Sequence, residues 1–178
     1  MRYDVVKITP ARSPEHDRLL AGLLDLNNAH EVELSRLTPD DLRHLCDRAF
    51  LASRIGRVEA FLISFDQDAD LTGVNFRWFR ERCARFIYVD RIVVAPRARG
   101  QGHARRLYTD LIFRARRHGH DRIVCEVNAD PPNPASDAFH ARMGFRVIGS
   151  AVLSGSDKTV RYFSRALTDA DLDDAKLS

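Results

Sequence analysis

Short apolar runs and amphipathic segments alternate along the second half of the chain, and this order predicts an α/β fold. Apolar runs at 86–95 and 123–127 predict strands, and two further strands are expected at 145–153 and 159–166. Apolar positions at helical spacing predict a helix over 103–118, and a shorter helix is expected over 134–143. The β-α-β-α-β-β order predicts one mixed sheet flanked by helices.

The first half of the chain is richer in helical patterns. Leucines at helical spacing predict a helix over 19–34, and Thr38-Pro39-Asp40-Asp41 is a typical start for a second helix that runs to about Arg48. Residues 3–8 predict a strand, and 50–55 with 58–65 predict a hairpin. The aromatic cluster at 75–79 falls outside any predicted strand.

Composition fits one folded domain that buries a full core. The chain has 178 residues, of which 44% are hydrophobic and 30% charged. No window approaches about 18 consecutive apolar residues, which excludes a transmembrane helix. We expect no secretory signal and a cytoplasmic location, because no apolar stretch follows the N-terminus. Three cysteines without a CxxC pair predict reduced, mostly buried thiols, and neither a disulfide framework nor a metal site.

Charge is distributed unevenly along the chain. The formal net charge is only +3, but the segment from Arg77 to Arg122 carries 13 arginines against 4 acidic residues. This local excess predicts an anionic partner for the middle of the chain. A nucleic-acid-binding module is one interpretation, although the segment lacks a helix-turn-helix or RNP-type signature.

A basic, glycine-containing loop lies between the predicted strand at 86–95 and the helix at 103–118. Its sequence is Arg97-Ala98-Arg99-Gly100-Gln101-Gly102-His103-Ala104. Amides at a helix N-terminus lack intrahelical partners and carry the positive end of the helix dipole, so this position suits an anion. A dinucleotide-binding GxGxxG would need glycine at 105, and a Walker loop would need Gly-Lys there, so neither motif is present.

A second motif follows the next predicted strand, and the two motifs together are more specific than the loop alone. The pairing of R-x-x-G-x-G at Arg97, Gly100 and Gly102 with N-x-x-S-x-x-F-H-x-x-x-G-F at 133–145 resembles the GNAT superfamily of N-acetyltransferases. The resemblance is specific over about residues 86–150. It implies a single mixed, mostly antiparallel sheet of about six to seven strands with a splayed central pair. It also implies one domain over 1–168, followed by the acidic tail 169–178. Because the tail is acidic and terminal, we expect it to fray over 169–176.

The resemblance implies a binding site for acetyl-CoA, the acyl-donor cosubstrate. Strand residues 92–94 would offer backbone groups to the pantetheine arm, and loop amides from Arg99 to Ala104 would hold the pyrophosphate. Arg99 or Arg105 could pair with the 3′-phosphate, and Asn133 would contact the pantetheine or cap the following helix. The implied cofactor-binding residues are Ile92, Val93, Val94, Arg99, Gly100, Gln101, Gly102, His103, Ala104, Arg105 and Asn133.

The main candidates for the acid–base chemistry are His140 as the acid and Asp90 as the base. His140 occupies a position where the family usually has tyrosine, and a protonated imidazole can protonate a leaving thiolate. The alternatives are that His140 packs, that water supplies the proton, or that Tyr108 does so. Asp90 is the candidate base, with an ion pair to a neighbouring arginine as the alternative; Glu126 and Asn128 are further candidates.

The acceptor site is predicted from polar and aromatic residues. Asn28 and Glu31 would form one wall, and Phe76 and Trp78 a second wall or lid, unless the aromatics only anchor a loop. The predicted function is transfer of acetyl from acetyl-CoA to a primary amine of a small molecule or peptide. A CoA-binding regulatory domain with degenerate catalysis is the alternative. No nucleic acid or membrane partner is expected, and a homodimer is one candidate assembly.

Overall fold

The computed structural model describes residues 4–9, 13–153 and 158–173. The strands are β1 (Val5–Lys7), β2 (Leu51–Ile55), β3 (Ala60–Asp66), β4 (Phe86–Val94), β5 (Arg122–Asp130), β6 (Arg146–Val152) and β7 (Thr159–Ala166). The helices are α1 (Pro14–Asn28), α2 (Pro39–Arg48), α3 (Val74–Arg80), α4 (His103–Arg117), α5 (Pro134–Arg142) and α6 (Ala170–Asp173). A 3-10 turn, Pro96–Ala98, follows β4.

The strands form one sheet of seven in the order β1-β2-β3-β4-β5-β7-β6. The pairs β1–β2, β2–β3, β5–β7 and β6–β7 are antiparallel, whereas β4–β5 is parallel. The prediction of a single mixed, mostly antiparallel sheet of six to seven strands is therefore confirmed. β4 and β5 pair over Phe86–Tyr88 and Arg122–Val124, and both strands continue beyond that short ladder. The splayed central pair stays a prediction.

Three helices begin with a polar cap followed directly by proline. The side chains of Ser13, Thr38 and Asn133 each accept a backbone N–H of the first turn at 3.1 to 3.2 Å. At α2 the Asp41 carboxylate also accepts the Thr38 N–H at 2.8 Å, which completes a capping box. Each such cap stabilises its helix by about 1 kcal/mol, so these starts are fixed locally by the sequence.

Two predicted segments differ from the structure. The helix expected over 19–34 instead spans Pro14–Asn28, because Ser13 and Pro14 supply an earlier start and the following residues turn toward α2. The aromatic cluster forms the helix α3, with Phe76 and Phe79 buried at i, i+3 spacing. A helix of 7 residues has too few repeats for its period to stand out in the sequence.

The chain divides into two compact units, each with its own core. The first comprises Met1–Phe65 and Val89–Leu111, and the second Asp66–Tyr88 and Ile112–Ser178. Fully buried side chains of the first unit include Leu23, Leu42, Ile55, Phe61 and Leu62. In the second unit Phe76 and Phe79 pack against Phe86 and Tyr88 with ring centroids 5.5 to 6.3 Å apart.

Ion pairs and hydrogen bonds hold the described start of the acidic tail, and the fraying expected for this tail stays a prediction. Asp171 is buried and accepts from Arg165 Nη2 at 2.6 Å and from the Thr168 N–H at 2.7 Å. Asp169 accepts from Arg116 Nη2 at 2.5 Å. Both carboxylates are thus held by arginines of the second unit, which fixes α6 to that unit. Residues 174–178 of the predicted tail lie outside the described part of the chain.

The cysteines are free and buried, as predicted. They are Cys46, Cys83 and Cys125. Desolvation by burial is the largest cause that raises the pKa of Cys46 to about 12, so its thiol stays protonated at neutral pH. Among the described residues, none of the helices is long and apolar enough to cross a membrane, and no group of three or more His, Cys, Asp or Glu could hold a metal ion.

Candidate active site

The backbone of the basic loop is set by two glycines. Gly100 and Gly102 have φ of +76° and +77°, a region that side-chain-bearing residues rarely adopt. A Cβ at either position would meet no atom within 4 Å, so these glycines are required by the backbone conformation while the space beside them is open. The Gly102 carbonyl accepts the Arg106 N–H at 3.1 Å and thereby begins α4.

Polar contacts connect the loop to the rest of the first unit. Arg99 Nη2 lies 3.1 Å from His30 Nε2, and His30 Nδ1 donates to the Leu26 carbonyl at 3.0 Å. Arg97 pairs with Glu59 at 3.4 Å, and its carbonyl accepts from Gln101 Nε2 at 3.3 Å. The predicted loop residues are therefore together at the N-terminus of α4, with Arg99, Gly100, Gln101, Gly102 and Arg105 exposed, His103 buried and Ala104 half-buried.

The end of β4 carries the predicted pantetheine residues and the predicted base. Val93 is buried, and Ile92 and Val94 are half-buried. The Asp90 carboxylate accepts from Arg91 Nε at 2.6 Å. Arg91 is only 6% exposed and donates from Nη1 to Asn27 Oδ1 at 2.8 Å. These contacts favour the alternative interpretation of Asp90, an ion pair with its neighbour.

Asn28 holds the segment between α1 and α2. Its Oδ1 accepts the Leu37 N–H and its Nδ2 donates to the Leu37 carbonyl, both at 3.0 Å. Glu31 lies on the same segment, is exposed, and pairs with Arg36 at 3.2 Å. The amide of Asn28 is thus engaged in closing this segment, whereas Glu31 faces solvent, where a surface ion pair contributes little stability.

Asn133 and His140 lie at the two ends of α5 in the second unit. Asn133 caps the helix, which is one of its two predicted roles. His140 is 2% exposed, and its ring centroid lies 5.2 Å from that of Phe145 and 5.7 Å from that of Phe163. Its Nδ1 donates to the Ser136 carbonyl at 2.8 Å.

The surroundings of His140 favour a neutral ring. Desolvation by burial is the largest effect and lowers the pKa of His140, although the hydrogen bond to Ser136 and the charge of Asp137 oppose it. A neutral imidazole whose Nδ1 carries the proton has an unprotonated Nε2, which accepts and does not donate. The other predicted donor, Tyr108, is fully buried on α4.

The two predicted aromatic wall residues pack within the second unit. Phe76 is 1% exposed. Trp78 stacks on Tyr162 with centroids 4.1 Å apart, and the Arg82 guanidinium lies 4.4 Å from its ring centroid. A Cβ on Gly149 would lie 2.6 Å from Trp78 Cζ2, so the strand beside the indole must carry glycine. This packing favours the interpretation of the cluster as a hydrophobic anchor.

A hydrogen-bonded chain of four side chains lies beside this anchor. Tyr162 donates its hydroxyl to Asn75 Oδ1 at 3.0 Å, and Asn75 Nδ2 donates to Glu126 Oε1 at 2.9 Å. Tyr88 donates its hydroxyl to the same oxygen at 2.9 Å. We call Tyr88, Glu126, Asn75 and Tyr162 the carboxylate network.

Sequence reasoning identified only part of the carboxylate network. Glu126 was recognisable as a carboxylate within an apolar strand. Asn75 and Tyr162 were not, because their roles depend on the α3 helix and on the register that places Glu126 opposite Tyr162 in β5 and β7.

Comparison with known families identifies the class of protein. The model of the Acetyltransferase (GNAT) family matches residues 23–145, which is more than half of the chain. The protein therefore belongs to the GNAT acetyltransferase family, as its two motifs predicted. No curated protein matches the sequence significantly.

Solved structures share the fold at low sequence identity. The protein yncA from Salmonella typhimurium, in a structure with its cofactor acetyl-CoA, is 18% identical, with a TM-score of 0.67 over 95% of this chain and 96% of that one. The ribosomal-protein-S18-alanine N-acetyltransferase from Escherichia coli is 14% identical, with a TM-score of 0.64 over 94% and 95%. An N-acetyltransferase from Staphylococcus aureus Mu50 is 16% identical, with a TM-score of 0.65 over 94% and 100%.

Proposed function

We propose that the protein transfers an acetyl group from acetyl-CoA to a primary amine of a small molecule or peptide, by direct attack of the amine on the thioester. The observation that carries this proposal is the basic loop at the start of α4, in a chain of the GNAT acetyltransferase family. The family match spans residues of both compact units, which supports the prediction of one catalytic domain over 1–168.

The loop residues fit the phosphates of acetyl-CoA. Two glycines at positive φ leave open space beside the backbone, and the first-turn amides of α4 have no intrahelical partners. Arg99 and Arg105 are exposed and flank the two glycines in sequence, and their guanidinium groups suit phosphate oxygens. Backbone groups of Ile92–Val94 stay the predicted partners of the pantetheine arm, and Asn133 its predicted side-chain contact.

The structure does not favour the two predicted acid–base residues, His140 and Asp90, as strongly as their alternatives. His140 stays a candidate donor to the leaving thiolate, but a buried neutral ring bonded to Ser136 is poorly suited to that role. Solvent is therefore the proton source that we favour. Asp90 stays a candidate base, although its ion pair with Arg91 competes with that task.

A second candidate function is a CoA-binding domain with degenerate catalysis. The buried position of His140, where the family usually has tyrosine, is the observation that favours it. Both candidates require acetyl-CoA binding, and only the first requires amine-dependent release of CoA thiol. A nucleic-acid-binding module requires neither and predicts stabilisation by an oligonucleotide. A homodimer and a cytoplasmic location stay predictions.

The test compares thermal unfolding with acetyl-CoA and with a DNA oligonucleotide, each at low and at moderate salt. A ligand at 100 times its Kd stabilises the native state by about 2.7 kcal/mol, which raises the Tm of a protein of this size by about 5 to 10 °C. We expect that shift with acetyl-CoA. Stabilisation by the oligonucleotide alone would reject the proposal.

Catalysis is then tested by thiol release from acetyl-CoA with a panel of primary amines. The proposed function predicts release that depends on an added amine and yields the N-acetylated product in equal amount. Binding of acetyl-CoA without release for any amine would instead support the regulatory alternative.

A further inference from the structure

We propose that His30 is a positioning residue for the cofactor site, whose ring orients the Arg99 guanidinium for contact with a phosphate group of acetyl-CoA. The inference rests on the proposed function and deepens it, because it names the arginine that meets a phosphate and the residue that holds it. From the sequence, Arg99 and Arg105 were equal alternatives for such a contact, and His30 had no assigned role.

The two hydrogen bonds of the His30 ring define its protonation. Nδ1 lies 3.0 Å from the Leu26 carbonyl oxygen, which can only accept, so Nδ1 carries a proton. Nε2 lies 3.1 Å from Arg99 Nη2, which can only donate, so Nε2 is unprotonated. Both partners therefore select the same neutral tautomer, in which the imidazole accepts a hydrogen bond from Arg99.

A neutral imidazole holds Arg99 through a contact that does not offset the positive charge. Arg97 of the same loop differs, because its Nη2 lies 3.4 Å from the Glu59 carboxylate. That carboxylate also accepts the Arg57 N–H at 2.7 Å, which fixes it beside Arg97. The contact with His30 uses one N–H group of Arg99, and a guanidinium has further N–H groups for a two-bond contact with phosphate oxygens. Arg99 is exposed, as contact with a ligand requires.

The backbone around His30 is fixed on both sides, so the ring has a defined position. Its N–H donates to the Asn27 carbonyl at 3.0 Å, and its carbonyl accepts the N–H groups of Glu33 and Leu34 at 3.1 and 2.9 Å. Asn27 is itself fully buried and accepts from Arg91 Nη1 at 2.8 Å. The turn after α1 is thus attached to β4, the strand that leads into the basic loop, and it holds the ring beside that loop.

Orientation of Arg99 before the ligand arrives is what His30 would contribute to binding. A long arginine side chain has many rotamers, and a phosphate contact must select one of them. Holding one such side chain in its bound orientation should tighten binding by about 2- to 10-fold. This factor cannot exceed the effect of removing the guanidinium itself, because His30 acts through Arg99.

The test is a double-mutant cycle in which calorimetric titration measures the Kd for acetyl-CoA. His30→Asn keeps an amide that can donate to the Leu26 carbonyl but lacks the acceptor that reaches Arg99, so it should weaken binding about 2- to 10-fold. Arg99→Gln should weaken binding at least about 10-fold. In the Arg99→Gln background, His30→Asn should cause no further loss, because the group that His30 orients is absent.

Rescue by a conservative variant separates orientation of Arg99 from a general structural role. The side-chain oxygen of His30→Gln reaches about as far as Nε2 and can accept from Arg99, so this variant should bind acetyl-CoA more tightly than His30→Asn. Both substitutions are polar and small, and thermal unfolding of each protein monitors the fold.

The 3′-dephospho form of acetyl-CoA identifies which phosphate Arg99 meets. This ligand lacks the 3′-phosphate and keeps the pyrophosphate. If Arg99 meets the 3′-phosphate, wild type and His30→Asn should bind it equally. If Arg99 meets the pyrophosphate, His30→Asn should lose as much affinity for it as for acetyl-CoA. Either result, together with a non-additive cycle, supports the inference.

His118→Asn is the matched control. The His118 ring contacts the carbonyl of Arg114, four residues before it, through Nδ1 at 2.8 Å, in the same way as His30 contacts Leu26. His118 directly follows the last residue of α4, whereas the basic loop precedes the first residue of that helix. Its substitution should therefore leave the Kd for acetyl-CoA unchanged.

The outcomes separate this inference from the proposed function. Wild-type affinity in His30→Asn, or the same loss with and without the Arg99 guanidinium, would overturn the role of His30 while acetyl transfer stands. A loss in His118→Asn equal to that in His30→Asn would overturn it as well. Failure of wild type to bind acetyl-CoA would reject the proposed function, and this inference with it.

Discussion

The most direct perturbation of the proposed cofactor site is a side chain at Gly102. This residue has φ of +77° directly before the first turn of α4, and a Cβ there would meet no atom within 4 Å. Gly102→Ala therefore introduces backbone strain without a steric clash. Gly102→Glu adds to the same strain a negative charge where the pyrophosphate is proposed to bind.

Comparison of the two variants separates the free-energy cost of backbone strain from that of charge repulsion. An L-residue in the left-handed region costs about 1 to 2 kcal/mol, so both should lower the Tm by about 2 to 8 °C for a chain of this size. Two like charges about 4 Å apart repel by about 1 kcal/mol in water and about 4 kcal/mol near a protein surface. Gly102→Glu should therefore weaken acetyl-CoA binding by about 5-fold to about 1000-fold beyond Gly102→Ala.

Calorimetric titration of acetyl-CoA into the three proteins measures this difference, with thermal unfolding of each as the fold control. Raising the salt concentration should reduce the gap between the two variants, because a partly exposed charge is screened. Equal affinity of Gly102→Glu and Gly102→Ala for acetyl-CoA would refute the placement of the pyrophosphate at this loop.

Two further predictions concern buried polar residues. Arg91→Met removes the partner of Asp90 and Asn27 and should destabilise the fold by about 3 kcal/mol in urea unfolding; a loss below about 1 kcal/mol would contradict the buried pair. In wild type the folded pKa of His140 lies below its unfolded value, so the unfolded chain binds the extra proton and stability falls as pH drops below about 6.5. In His140→Phe the free energy of unfolding should therefore fall less between pH 7 and pH 5 than it does in wild type. Turnover should stay near wild type at neutral pH. If the free energies of unfolding of the two proteins fall in parallel over this range, His140 is not a buried neutral ring.

The sequence predicted those parts of the fold whose signals are local. The capped start at Thr38, the glycine loop and the apolar strand at 86–95 each carry their information within a few residues, and the structure has all three. The family resemblance supplied the number of strands and the mostly antiparallel sheet. The strand order was not predicted, since neighbours such as β5 and β7 are separated in sequence by a helix and a strand.

The candidate site was harder to predict because side-chain partners are non-local. Asp90 looked available by its position on a strand, and the sequence does not show that its neighbour Arg91 is buried and held by Asn27. The sequence around Asn75 does not indicate its contacts with Glu126 and Tyr162, because those contacts depend on the helix α3. A carboxylate's usefulness as a base depends on which residue reaches it, and that is set by tertiary packing.

The same reasoning applies to the arginine excess between Arg77 and Arg122. Several of these arginines are paired within the protein: Arg82 with Glu81, Arg91 with Asp90, Arg97 with Glu59 and Arg116 with Asp169. A polymer-binding surface needs many cations presented together, and internal pairing reduces that field. Arg99 and Arg105 are exposed at a loop whose backbone leaves open space beside two glycines. Positive charge concentrated at one such loop suits a small ligand that ends in phosphates, so the excess supports acetyl-CoA as the anionic partner better than a nucleic acid.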